Sequence, residues 1–207
     1  MSLVLYYAPG ACSGVTITAM IELGLECEFK KVDLASGEQK TPAYQQINPY
    51  GKVPAVTVDG QLLTENPAIL IYLNSLATSS KLMPDTDCAL QRSQYYSDLM
   101  WLSSSVHPSV RHVCMPSYYT QSSDTDDVVA KGIKQLILYF TMANQHLQNS
   151  TWWYGEQWSI FDTYLHWCYT RALRGGFALD SFPALLSHQQ RLEARPSFAI
   201  RQQIEQR

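Results

Sequence analysis

The chain is short of charge, of paired cysteine and of long apolar runs. Charged residues make up 16% of its 207 and none precedes Glu22, while the net charge is -3. No clustered basic face is available, which excludes nucleic acid as a partner. The uncharged start has no basic n-region, and Pro9-Gly10 breaks its apolar run, so it does not read as a signal peptide. Residues 135–155 also lack charge, but Gln135, Asn144, Gln145, His146, Gln148 and Asn149 exclude a membrane span. The five cysteines (Cys12, Cys27, Cys88, Cys114, Cys168) form no CxxC pair. An odd, scattered set points to reduced thiols and a cytoplasmic location. His112, His146, His166 and His188 show no metal-ligand spacing with acids or cysteines, so no metal is expected.

What is present is enough apolar sequence, 46%, for a substantial core. The run LVLYY (3–7), closed by Pro9-Gly10, reads as a buried strand. Ile17, Met20 and Ile21 at helical spacing predict a helix over 13–24 that stops at Gly24. Residues 28–33 read as a second strand, and Pro42 opens a short helix in an otherwise irregular stretch. Two apolar runs around Asp59-Gly60 within 53–65 predict a tight hairpin. Residues 66–77 then predict a helix with Ile69, Leu70, Leu73 and Leu76 inward. This βαβ–ββα order is that of a thioredoxin-like α/β domain over residues 1–78. Residues 79–87 read as a linker. Beyond it the pattern predicts an all-helical bundle over 88–207. Its helices fall at 88–114 (bent at Pro108), 126–147, 160–173, 183–193 and 196–205.

Three segments of the first domain carry chemistry. In YYAPGACSGVT (6–16) Cys12 stands where a helix begins, near unpaired N–H groups and the positive end of the dipole. Such a site lowers a thiol pKa from about 8.5 toward roughly 3.5–7.5. Val15 occupies the place of a second cysteine, so any redox step runs through a mixed disulfide with an outside thiol. Position alone leaves open whether Cys12 is a nucleophile or a small buried hydrophobe. Ser13 reads as the helix cap, with donation to a bound sulfur as the other role. In GKVPA (51–55) a cis Val53-Pro54 bond would turn the Val53 backbone outward to pair with an extended peptide; the trans form is the default for the motif alone. In LLTENPAI (62–69) Glu65 and Asn66 stand at a helix start. They serve there either as a cap or as holders of a ligand ammonium and carboxylate, the paired charges of an amino-acid head group.

Together these segments resemble the cytosolic glutathione transferases, above all the bacterial beta-type members. YAPGACS (7–13), NPYGKVPAV (48–56), LTENPAILIYL (63–73) and SIFDTYL (159–165) fall in family order and spacing. The last resembles the family's buried capping motif, with Ser159 capping and Asp162 returning the bond. The resemblance implies a homodimer with glutathione held mostly by the first domain. It implies that Cys12 lies beside the glutathione sulfur, and that the Val53 backbone pairs with the cysteinyl part before a cis Pro54. Glu65 and Asn66 hold the γ-glutamyl group, and Tyr7 matches the beta-type tyrosine. Lys52, ahead of Lys40, is the choice for the glycyl carboxylate. Two departures stand out: Asn66 occupies a place more often held by Ser, and His107-Pro108 stands where beta-type members often carry His-Lys. His107 is read as a base or donor facing the active-site cleft, or as a histidine preceding a helix kink.

The activity implied is attack of the glutathione thiolate on a small apolar electrophile held between the domains, a detoxification chemistry. Mixed-disulfide exchange through Cys12 is a second capability; the alternative is that Cys12, repelled by the neighbouring glutathione thiolate, stays protonated and donates a hydrogen bond to it. The rival is a non-catalytic interaction module of the same fold.

Overall fold

The computed structural model describes residues 1–77 and 81–207. Residues 78–80, where the predicted first domain ends and the predicted linker begins, lie outside the described residues. The chain divides into two compact units, residues 1–83 with 195–207, and residues 84–194. The last helix, assigned from sequence to the helical half, thus groups with the α/β half.

In the first unit, strand β1 (Leu3–Tyr7) is followed by helix α1 (Ser13–Glu22), β2 (Glu28–Lys31) and α2 (Pro42–Ile47). The hairpin β3 (Ala55–Val58) and β4 (Gln61–Thr64) leads into α3 (Asn66–Ser75). The sheet order is β2-β1-β3-β4, with β1 parallel to β2 and antiparallel to β3. This is the thioredoxin-like arrangement. Strand alternation puts Leu3, Leu5 and Tyr7 on the buried face, where Val15, Ile17 and Met20 of α1 and Ile69, Leu70 and Leu73 of α3 complete the core. The hairpin closes through Asp59 (φ 48°) and Gly60 (φ 84°), both left-handed as a primed turn requires. Helix α1 ends at Gly24 (φ 64°), where Gly24 N–H bonds Ile21 O and Leu25 N–H bonds Met20 O, a Schellman closure.

Helix α9 (Pro196–Glu205) packs on α1 within this unit. The small residues Ser13, Gly14, Thr16 and Thr18 keep α1 narrow enough to be buried along its first eight residues. Arg195 anchors the entry to α9, its guanidinium holding Glu22 Oε1 at 2.8 and 3.1 Å beside the Ser197 hydroxyl.

The second unit contains α4 (Ala89–Trp101), α5 (His107–Cys114), α6 (Asp126–Leu147), α7 (Ile160–Arg174) and α8 (Pro183–Glu193). The helix expected over 88–114 is not one helix bent at Pro108. A π-helical turn over Leu102–Val106 separates α4 from α5. Pro108 lacks an N–H, and its ring crowds the carbonyl four residues back; widening the preceding turn relieves that clash. Helix α7 is buried nearly all round, and its first turn is closed by Asp162. Its Oδ2 accepts from the Ser159 N–H (2.9 Å) and hydroxyl (2.8 Å). Its Oδ1 faces the Trp153 N–H (2.8 Å) and His188 Nε2 (3.1 Å). Among the described residues no helix is long and apolar enough to cross a membrane.

Candidate active site

Cys12 stands immediately before α1, at its N-cap position, and makes no side-chain cap hydrogen bond there. The loop before it is wound by backbone bonds, Ala11 N–H to Ala8 O, Gly14 N–H to Ala11 O and Val15 N–H to Cys12 O. Ser13 does not cap. From inside the helix its hydroxyl reaches back to Ala8, accepting from its N–H (3.1 Å) and donating to its carbonyl (3.2 Å). Cys12 is partly exposed, and its Sγ lies 3.6 Å from Val53 O. The sulfur therefore stands at the positive end of a helix and is reachable from solvent.

The Val53-Pro54 bond is cis. Lys52, just before, is held by its carbonyl, which accepts from Tyr44 Oη (2.8 Å) and Asn48 Nδ2 (2.7 Å), while its side chain is exposed. Burial pushes the Tyr44 phenol up to about 12, so it stays a donor to Lys52 O. Gly51 (φ 59°) permits the close pass of this loop; a Cβ there would meet Gln39 O at 2.8 Å.

Glu65 precedes α3 with φ 65° and ψ 121°, a strained conformation for a side-chain-bearing residue. It is exposed, and among the described residues no hydrogen bond or ion pair holds its carboxylate. Asn66 is different. It is 4% exposed, its Oδ1 accepts from Thr16 Oγ1 at 2.9 Å, and its Nδ2 donates to Cys12 O at 3.1 Å. The Asn66 side chain, expected to help hold a ligand carboxylate, makes this internal bridge, and its backbone N–H lies at the open start of α3.

Tyr7 turns its hydroxyl toward α9. It is 2% exposed and its hydroxyl donates to Ile204 O of α9 at 2.9 Å. Burial, then the Glu205 carboxylate, raises its pKa, which keeps the phenol a neutral donor to that carbonyl. The structure thus brings Cys12, Val53, Glu65 and Asn66 together around the starts of α1 and α3, and turns the Tyr7 hydroxyl inward. Sequence reasoning missed Glu205, whose Oε1 accepts from Gly10 N–H at 3.2 Å. No local motif marks a partner so distant along the chain.

His107 belongs to the second unit. Its Nδ1 lies 3.0 Å from Tyr164 Oη and its ring meets Trp167 edge-on at 4.4 Å. The tryptophans of 152–158 are packing groups in part: Trp153 packs at a tilt against Phe161 and donates through Nε1 to Asp98 at 3.3 Å.

Comparison with known proteins agrees with this geometry. Residues 1–75 match the family model "Glutathione S-transferase, N-terminal domain". The chain is 29% identical over 194 residues to the glutathione S-transferase GST-4.5 of Xanthomonas campestris, covering 92% of each. A crystal structure of a glutathione transferase homologue from Sulfitobacter with bound glutathione superposes with a TM-score of 0.88 at 27% identity, over 98% of this chain and 97% of that one. The bacterial beta class glutathione S-transferase of Sphingomonas chungbukensis does so at 0.85 with 30% identity, over 98% of both chains. The chain belongs to the glutathione transferase family and resembles its bacterial beta class.

Proposed function

We propose that the chain binds glutathione in its first unit and transfers the glutathione thiolate to small apolar electrophiles, working as a cytoplasmic homodimer in detoxification. The observation that carries this reading is the partly exposed Cys12 sulfur at the start of α1, 3.6 Å from Val53 O. The start of α3 and an unpaired Glu65 carboxylate belong to the same unit. The γ-glutamyl ammonium is assigned to Glu65, and its carboxylate to the main-chain N–H groups opening α3, Asn66 included. The cysteinyl part is assigned to the Val53 backbone as an added strand, and the glycyl carboxylate to Lys52. The strain at Glu65 fits a residue held in place for a ligand.

In the conjugation step the glutathione thiol loses its proton to solvent or a base. The sulfur forms a carbon–sulfur bond, and the electrophile's leaving group departs with the electron pair. In the exchange step the Cys12 thiolate attacks the glutathione sulfur of a mixed disulfide and the substrate thiolate leaves. A second glutathione thiolate then releases oxidised glutathione and restores Cys12. His107 enters on sequence resemblance as a base or donor. Turnover of 1-chloro-2,4-dinitrobenzene and of a glutathione mixed disulfide tests the proposal. Activity in neither assay, with no glutathione binding, assigns the chain to the interaction-module alternative. The homodimer is checked by light scattering.

A further inference from the structure

We propose that Asn66 is a positioning residue for the sulfur: its amide couples the buried Thr16 hydroxyl to the main-chain carbonyl of Cys12 and so fixes the turn that presents Sγ. The inference rests on the reading of Cys12 as the reacting thiol. Thr16 lies four residues after Cys12, on the same face of α1, and is fully buried. The Asn66 amide reaches from α3 across this pair, accepting from Thr16 Oγ1 at 2.9 Å and donating to Cys12 O at 3.1 Å. Its orientation is fixed chemically. A carbonyl can only accept, so the amide nitrogen must face Cys12, and the amide oxygen is left to accept from the threonine. The Cys12 carbonyl also takes the Val15 N–H at 3.1 Å. Two donors on one carbonyl fix the peptide plane that follows Cys12 and, with it, the direction in which the sulfur leaves the backbone. Thr16 itself is sealed from any ligand, so its share in this bridge reaches the chemistry only through Asn66.

The test measures alkylation of Cys12 by iodoacetamide against pH, without glutathione, in a Cys88→Ser background that removes the exposed thiol. Glutathione affinity is measured separately by calorimetry. Thr16→Val keeps the shape of the side chain and removes the donor; Asn66→Ala removes the bridge. Both are expected to slow Cys12 alkylation at neutral pH about threefold to tenfold and to move its profile to higher pH, because the sulfur loses its alignment with the helix N–H groups. Thr16→Ser restores the hydroxyl and is expected to restore the profile, which a general loss of stability would not do. An unchanged profile in both variants, with weakened glutathione binding in Asn66→Ala alone, makes Asn66 a ligand contact and overturns the proposal. Shifted profiles in a protein that binds no glutathione sustain the positioning role and overturn the proposed function instead.

Discussion

Glu205, the last residue of α9, accepts a hydrogen bond from the Gly10 N–H in the loop that carries Cys12. One residue earlier, Ile204 O takes the Tyr7 hydroxyl. The end of α9 therefore braces the start of α1, and Gly14 leaves room for it: a Cβ there would lie 3.1 Å from Glu205 Oε1. Glu205→Ala is expected to lower stability in urea unfolding by about 1.5–3 kcal/mol, the range for a charged hydrogen bond. Glu205→Gln, which keeps an acceptor, is expected to cost less.

Cys12→Ala separates the two proposed activities. Turnover of the mixed disulfide is expected to fall to background, since the step needs the Cys12 sulfur as nucleophile. Conjugation of chlorodinitrobenzene is expected to persist, because there the attacking sulfur belongs to glutathione. Retention of full mixed-disulfide turnover removes Cys12 from the mechanism.

In the second unit Asp162 is fully buried and its two oxygens serve four donor groups: the Ser159 N–H and hydroxyl, the Trp153 N–H and His188 Nε2. Asp162→Ala strands them together, and the expected loss is about 3–5 kcal/mol, as for breaking a buried ionic network. Denaturant melts read the loss directly. Glutathione affinity, assigned to the first unit, is expected to be unchanged under conditions where the variant is folded.

Much of this was legible because local rules govern it. Pro42, Pro183 and Pro196 open helices, Gly24 ends one, and Asp59-Gly60 turns the hairpin where sequence placed it. The Ser159–Asp162 spacing marks the start of α7. What escaped depends on partners far apart in the chain. Tyr7 and Ile204 are 197 residues apart, and nothing near Tyr7 shows that its hydroxyl turns inward. That the Asn66 amide bridges Thr16 and Cys12 shows only when the three residues are brought side by side in the fold. The π-turn at Leu102–Val106 escaped for another reason: Pro108 signals a disturbance, but whether a helix kinks or widens depends on the packing around it.

Alkaline stability depends in part on the half-buried Cys27 thiol and the buried Tyr44 phenol. Burial pushes the Cys27 thiol up to about 11 and the Tyr44 phenol up to about 12. Both folded-state values are raised, so the unfolded chain releases these protons first and binds fewer at high pH. The stability they contribute is complete below their ordinary values and is lost as pH rises through about 9 to about 12. Urea midpoints are expected to fall across that window, and Cys27→Ala is expected to flatten its lower part. A pH-independent midpoint there contradicts the assignment.

Calorimetric titration of glutathione into the wild-type chain and into Glu65→Gln tests the central claim most directly. A saturable isotherm with one site per chain is expected for the wild type, and about tenfold or weaker binding for Glu65→Gln, since the variant removes the charge assigned to the γ-glutamyl ammonium. Absence of binding heat in the wild type, or equal affinity in the two proteins, contradicts it.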